Sequence, residues 1–260
     1  MKFIHLTDTH VVDEGLLYGQ DPAARLRAAA ASINTEHGDA AFVVLTGDMT
    51  HWGNPAAYAR FSAEIKKLAM PVHLMVGNHD DTDAFADAFP ETPRDSDGFV
   101  QTGFSTPYGR FLLLDTKASG THAGAYCATR RAWLRRALAQ SNGPLALFMH
   151  HPPFKTGITA MDQIMLQDAE EFYDVIAPHK ARIRHLFFGH VHRAISGNWR
   201  GISYSCMRGL NHQVALELKG AADRIAATFE PPAYGVVTVS DEQVTVHLHD
   251  FVDRSDRFFL

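Results

Sequence analysis

The stretch Phe3-Ile4-His5-Leu6-Thr7-Asp8-Thr9-His10 sets the reading of this chain: a mainly apolar run ends in a cluster of carboxylate, hydroxyl and imidazole groups. The same pattern returns four times. Phe42-Val43-Val44-Leu45 leads into Gly47-Asp48, and Val72-His73-Leu74-Met75-Val76 into Gly77-Asn78-His79-Asp80. Leu145-Ala146-Leu147-Phe148-Met149 leads into His150-His151-Pro152-Pro153, and Ile183–Phe188 into Gly189-His190-Val191-His192. Short apolar runs without alternation read as strands buried on both faces. Ligands of open α/β sheets gather at the carboxyl ends of such strands, so the five clusters are expected to meet.

Working outward, Asp21-Pro22 and Asn54-Pro55 are helix starts, a capping side chain followed by proline at the first helical position. Ala23, Leu26, Ala30 and Ile33 fall on one helical face, as do Tyr58, Phe61, Ile65 and Leu68. Thr82 is expected to cap a short helix to Phe89, Thr129 a helix carrying Trp133, Leu134 and Leu138, and residues 168–176 a further helix ended by Pro178. Residues 98–102 and 110–115 read as strands with no helix between them, an antiparallel addition. Beyond Ile195 helices vanish and five strand-like segments follow. In the last, Val244, Val246, Leu248 and Phe251 alternate with polar residues, so one face is expected to be buried.

The fold class is thus α/β with antiparallel additions. The expectation is one domain over residues 1–260, a motif-bearing core over 1–195 and C-terminal strands over 196–260 that complete a second sheet and offer oligomer contacts. The 46% hydrophobic and 20% charged content is ordinary for a globular chain. A net charge of −5 argues against a nucleic-acid polymer as partner. Cys127 and Cys206 are the only cysteines, fitting a reducing compartment with idle thiols. With no signal pattern and no apolar run near the ~18 residues that span a bilayer, a cytoplasmic protein without membrane contact is expected.

Asp, Asn and His without thiolate form a donor set for Fe, Mn, Zn or Co. Asp8 and His10 can chelate one ion, Asp48 has room to bridge two, Asn78 offers a carbonyl oxygen, and His150, His190 and His192 offer imidazole. Two cations roughly 3.5–4 Å apart would clamp a phosphoryl group and lower a water's pKa from ~15.7 towards ~7.

The order and spacing of these clusters resemble the calcineurin-like metallophosphoesterase superfamily. The resemblance implies a four-layered αββα sandwich in which Asp8, His10 and His192 hold a first metal, Asn78, His150 and His190 a second, and Asp48 bridges. His79, oriented by Asp80, would contact the phosphate and protonate the leaving group. Met49-Thr50-His51-Trp52-Gly53 lacks the Asp-Arg-Gly element of the family's protein phosphatases, and His51 stands where purple acid phosphatases carry a tyrosine ligand. Leu17-Tyr18-Gly19, Asn211-His212-Gln213-Val214 and Pro231-Pro232-Ala233-Tyr234-Gly235 look instead like the bacterial glycerophosphodiesterase and class III cyclic-nucleotide phosphodiesterase group. By that likeness His212 is a substrate-side candidate. The implied activity is hydrolysis of small phosphodiesters, with a phosphomonoesterase, a phosphonate monoester hydrolase, a nuclease or a non-catalytic scaffold as alternatives. Relatives in this group are oligomeric, so a homo-oligomer is expected.

Simpler readings compete elsewhere. His5 and His73 are expected as hydrogen-bonded core histidines, and His151 as structural. His37, His122, His179 and His185 are expected at surfaces or helix ends, and His247 and His249 facing solvent or a partner. Arg130, Arg131, Arg135 and Arg136 read as a solvated helix face. Phe258-Phe259-Leu260 is expected to tuck against the body or a neighbouring subunit, or to fray.

Overall fold

Alternation along each strand sends neighbouring side chains to opposite sheet faces, and here both faces are covered. The computed structural model describes residues 1–256, 258 and 259. Its strands are β1 (Lys2–Leu6), β2 (Val43–Leu45), β3 (Val72–Leu74), β4 (Thr102–Thr106), β5 (Gly109–Leu114), β6 (Leu145–Met149), β7 (Ile183–Phe188), β8 (Ile195–Trp199), β9 (Ile202–Cys206), β10 (Gln213–Val214), β11 (Ala227–Thr228), β12 (Tyr234–Val239) and β13 (Val244–His249). Helices are α1 (Pro22–Glu36), α2 (Pro55–Ile65), α3 (Thr82–Ala88), α4 (Ala128–Ala139), α5 (Thr159–Asp162) and α6 (Ala169–Ile176), with a 3-10 turn over Ala177–Arg182.

One sheet has the order β13-β12-β1-β2-β3 and the other β4-β5-β6-β7-β9-β8, while β10 and β11 form a separate two-stranded ribbon. Strands β1, β2 and β3 run parallel, as do β5, β6, β7 and β9. Phe3, Val44, Phe111, Phe148, Phe187 and Val237 pack together between the two sheets. Phe148 and Phe187 stack with centroids 4.7 Å apart, and Phe3 meets both edge-on. The intervening residues face outward: Ile4, Leu6, Val43 and Leu45 pack with α1 and α2, and Leu112, Leu147, Leu186 and Phe188 with α4 and α6. The result is the four-layered αββα sandwich.

Several elements depart from the sequence reading. Asp21 and Asn54 cap α1 and α2 as expected. Asp81, not Thr82, caps α3, because its carboxylate reaches Ala84 N. Helix α4 begins after Cys127, which places Thr129 inside it. Residues 98–101 are not a strand: Asp95 accepts from Asp97 N and Phe99 N and folds them into a turn, and pairing begins at Thr102. The C-terminal strands do not all complete the second sheet. Strands β8 and β9 do, but β12 and β13 extend the first, with β12 antiparallel to β1.

Arg130 is buried, not solvated. Its guanidinium donates to the carbonyl oxygens of Asp115, Ala125 and Lys117 and lies over the Phe99 ring. His185 is also buried and bonds Ser205 Oγ at 2.8 Å. His5 bonds Thr46 Oγ1, whereas His73 stacks on Phe104. His247 is exposed, but His249 stacks on Tyr234 and pairs with Glu36. Leu248, expected inside, is exposed, as are Phe258 and Phe259; Leu260 lies outside the described residues. Cys127 and Cys206 are unbridged. No described helix is long and apolar enough to cross a membrane.

Burial lowers the pKa of His185 to about 4. Because the folded value lies below the unfolded one, its contribution to stability is complete near neutral pH and is lost as pH falls from about 6.5 towards 4. The urea midpoint is therefore expected to drop between pH 7 and pH 5, with this residue contributing about 1–2 kcal/mol. His185→Gln, which keeps a donor for Ser205, should lose less on acidification. An equal loss in both proteins would disprove the assignment.

Candidate metal centre

The chain turns sharply at the carboxyl ends of β1, β2, β3, β6 and β7, and these turns converge across the sandwich. Seven non-glycine residues have positive φ among the described residues, and six of them are Asp8, His10, Tyr18, Asp48, His190 and His192. L-residues enter this region at about 1–2 kcal/mol each, and such strain collects at functional sites. Here the strained turns carry these side chains towards one point.

Asp8, His10, Asp48 and His192 are buried, with ligand atoms all within 4.8 Å of one another. His10 Nε2 is 3.0 Å from His192 Nε2, which is 3.3 Å from Asp8 Oδ1. Asn78 Oδ1 lies 3.1 Å from His150 Nε2 and 2.9 Å from His190 Nδ1. Asp48 stands between these sets: its Oδ1 accepts from His79 N at 2.9 Å, while Oδ2 is 3.6 Å from His10 Nε2 and 3.3 Å from His150 Nε2. All seven expected ligands are therefore brought together.

Backbone carbonyls fix two of the imidazoles. His150 Nδ1 faces Thr46 O at 2.7 Å and His192 Nδ1 faces His212 O at 3.0 Å. A carbonyl only accepts, so each Nδ1 carries hydrogen and each Nε2 points into the centre, the arrangement typical of ligating histidines. His10 Nδ1 meets His51 Nδ1 at 3.0 Å, so one of the two donates. His190 Nε2 is buried without a hydrogen-bond partner. Two carboxylates, one amide oxygen and four imidazoles fit a pair of hard-to-borderline cations.

Charge agrees with that fit. Burial and neighbouring imidazoles hold His10 and His190 well below the usual histidine range. Burial opposes charge on His150 too, but Asp48 outweighs it and raises the pKa to about 9. Burial would raise the Asp48 pKa, yet the surrounding histidines keep it well below the carboxylate range. A cation would compete with the His150 proton for the same carboxylate.

The catalytic candidates divide. His79 lines the cavity, with Nδ1 donating to His51 O at 3.0 Å. Asp80 does not orient it. Its carboxylate turns away and accepts from Met49 N, Thr50 N, Gly77 N and Tyr58 Oη, tying the second and third turns together. Those backbone donors satisfy the buried carboxylate, whereas the His79 ring already has a carbonyl partner. His212 is brought in, its ring 4.6 Å from His192 and 5.0 Å from His10. His151 is structural, bonded to Thr116 Oγ1 and His122 O.

Two contributors were missed. His122, exposed as expected, also bonds Asn78 Nδ2 at 2.9 Å; its loop gives no signal in sequence. His51 follows Asp48 by three residues in the same turn, a spacing that had drawn notice only for the tyrosine it replaces. These rings and Tyr18 border a cavity of about 530 Å³.

Fold and centre together define a phosphoesterase scaffold, and the chain belongs to the calcineurin-like phosphoesterase family, matching it over residues 1–194. It is 46% identical over 265 residues to a probable cyclic nucleotide phosphodiesterase of Rhodopseudomonas palustris, covering 100% of this chain and 96% of that protein. It is 30% identical over 258 residues to a probable glycerophosphodiester phosphodiesterase of Arcobacter nitrofigilis, covering 95% and 92%. A dimetal phosphatase from Danio rerio shares the fold with a TM-score of 0.72 at 16% identity, covering 97% of this chain and 96% of that one.

A Cβ on Gly77 would lie 2.2 Å from Asp48 Oδ1 and 2.5 Å from Asp48 N. Gly77→Ala is expected to fold, with an unchanged far-ultraviolet spectrum, but to bind fewer than two equivalents of Mn by calorimetry. Full stoichiometry with wild-type affinity would show that this close approach is not needed.

Proposed function

We propose that the chain hydrolyses small phosphodiesters at a pair of cations held by these turns. The observation that carries this reading is the position of Asp48 Oδ2 between His10 Nε2 and His150 Nε2, one carboxylate oxygen serving both sets. Asp8, His10 and His192 would hold the first ion, Asn78, His150 and His190 the second, with Asp48 shared. When bound, the pair neutralises phosphoryl charge and lowers the pKa of a water, so the attacking oxygen need not come from a side chain. Fe, Mn, Zn and Co all suit the donors. The diesterase reading draws support from the relatives with cyclic nucleotide and glycerophosphodiester phosphodiesterase names.

The protein's own groups supply the rest. His79 is half-buried at the cavity wall with Nδ1 bonded to a carbonyl, so a proton gained by the ring resides on Nε2, free to pass to the leaving oxygen. The His51 carbonyl does the positioning earlier assigned to Asp80. His212, beside the first set, offers a ring to the substrate's unreacting oxygens. A cytoplasmic homo-oligomer acting on small substrates, without nucleic-acid polymer or membrane partners, completes the proposal.

Asp48→Asn and Asn78→Ala are expected to lower kcat/KM on bis-p-nitrophenyl phosphate at least 100-fold and to reduce the bound metal. Activity within tenfold of wild type in Asp48→Asn would refute the shared ligand. His79→Ala should lose more on alkyl than on p-nitrophenyl leaving groups, since the latter depart unprotonated. Equal losses would remove its acid role. A higher kcat/KM on mono-p-nitrophenyl phosphate than on the diester would favour the monoesterase instead.

A further inference from the structure

The ribbon of β10 and β11 belongs to neither sheet, yet it is fastened to the metal centre. His212, immediately before it, supplies the carbonyl that fixes His192. Arg193, immediately after His192, donates to Val214 O at 2.7 Å and to Glu230 Oε1 at 2.9 Å, so it grips both ends of the ribbon segment. The loop within the ribbon leans on α5, where Thr159 Oγ1 donates to Leu218 O at 3.5 Å. Together, residues 159–164 and 222–227 contribute one part of the cavity wall.

That wall differs chemically from the rest of the site. Ala160, Met161, Ile164, Val214, Ile225 and Ala227 make it largely apolar. Arg224 is the only lysine or arginine bordering the cavity among the described residues, and it has no hydrogen-bond or ion-pair partner among them. The neighbouring Asp223 offers an acceptor. A guanidinium beside an aliphatic surface suits a flat π-system, which can stack on both. A glycerol moiety has no flat face to lay over the aliphatic side chains, and on this wall only Gln163, Asp223 and Arg224 could meet its hydroxyls. A purine or pyrimidine instead covers the aliphatic side chains and presents its amine edge to a carboxylate.

We propose that residues 159–164 and 222–227 form a recognition wall for a nucleobase, with Arg224 the specificity-determining residue, so that this site prefers nucleoside phosphodiesters to glycerophosphodiesters. The proposal rests on the phosphodiesterase reading and adds which half of the substrate the protein recognises.

The test compares ligands that differ only by the base. AMP and ribose 5-phosphate are titrated into the Mn-loaded protein by calorimetry, for wild type, Arg224→Ala and Ile225→Asp, and kcat/KM is measured on cyclic AMP and glycerophosphoglycerol. Wild type should bind AMP at least tenfold tighter than ribose 5-phosphate, and each exposed-loop variant should reduce that ratio about tenfold, the size of one stacking contact. The ratio of cyclic AMP to glycerophosphoglycerol turnover should fall in parallel, mainly through KM. Equal wild-type affinities for the two ligands, or ratios that the variants leave unchanged, would overturn the wall. If no diester is hydrolysed with any metal, the phosphodiesterase reading fails, while the calorimetric ratio still decides whether a base is recognised.

Discussion

Everything at this site depends on turns that hold L-residues in a left-handed backbone conformation at strand ends. Asp8 and His10, like His190 and His192, stand two apart, a spacing that already puts both side chains on one side of an extended chain. With φ between 48° and 68° at these four residues, both members of each pair face the centre. The cost of about 1–2 kcal/mol per residue is borne by sheets buried on both faces, whose aromatic and aliphatic layers keep each strand in place. Glycines at 47, 77 and 189 let the turns approach one another closely. Stability and function are therefore divided spatially: the sandwich supplies rigidity, and its rim stores the strain.

The repeated step from apolar run to polar cluster was legible because it is local and its physics simple. A strand without alternation must be covered on both sides, and its carboxyl end is where ligands collect. Pairing order was less accessible. Alternation in residues 234–239 and 244–249 identifies strands with distinct faces but says nothing of their neighbours, and β12 found its partner more than 200 residues away in β1. Helix starts were clear where a capping side chain preceded proline. They were ambiguous at Asp81-Thr82, where adjacent residues can both cap, and around Thr129, where Arg130 is drawn inward by three carbonyl oxygens.

The site shows the same division. Seven candidate ligands could be named because their residue types and order carry the chemistry, and the fold brings them together. The orienting role that the resemblance implied for Asp80 does not hold here, because consecutive side chains at a turn point apart and the carboxylate found backbone donors. His122 could not have been found, since only the folded chain carries its loop to Asn78. His51 lay within reach of the spacing argument.

The aromatic slab formed by Phe3, Phe111, Phe148 and Phe187 has a consequence beyond cohesion. Asp8, His10, Asp48 and Asn78 rise from one sheet, whereas His150, His190 and His192 rise from the other, so the slab's thickness acts as a caliper on the distance between these opposing side chains. A side chain far from solvent and without a polar atom thereby shares in spacing the two halves of the site. A change of bulk in the interior of such a sandwich is therefore felt at its rim.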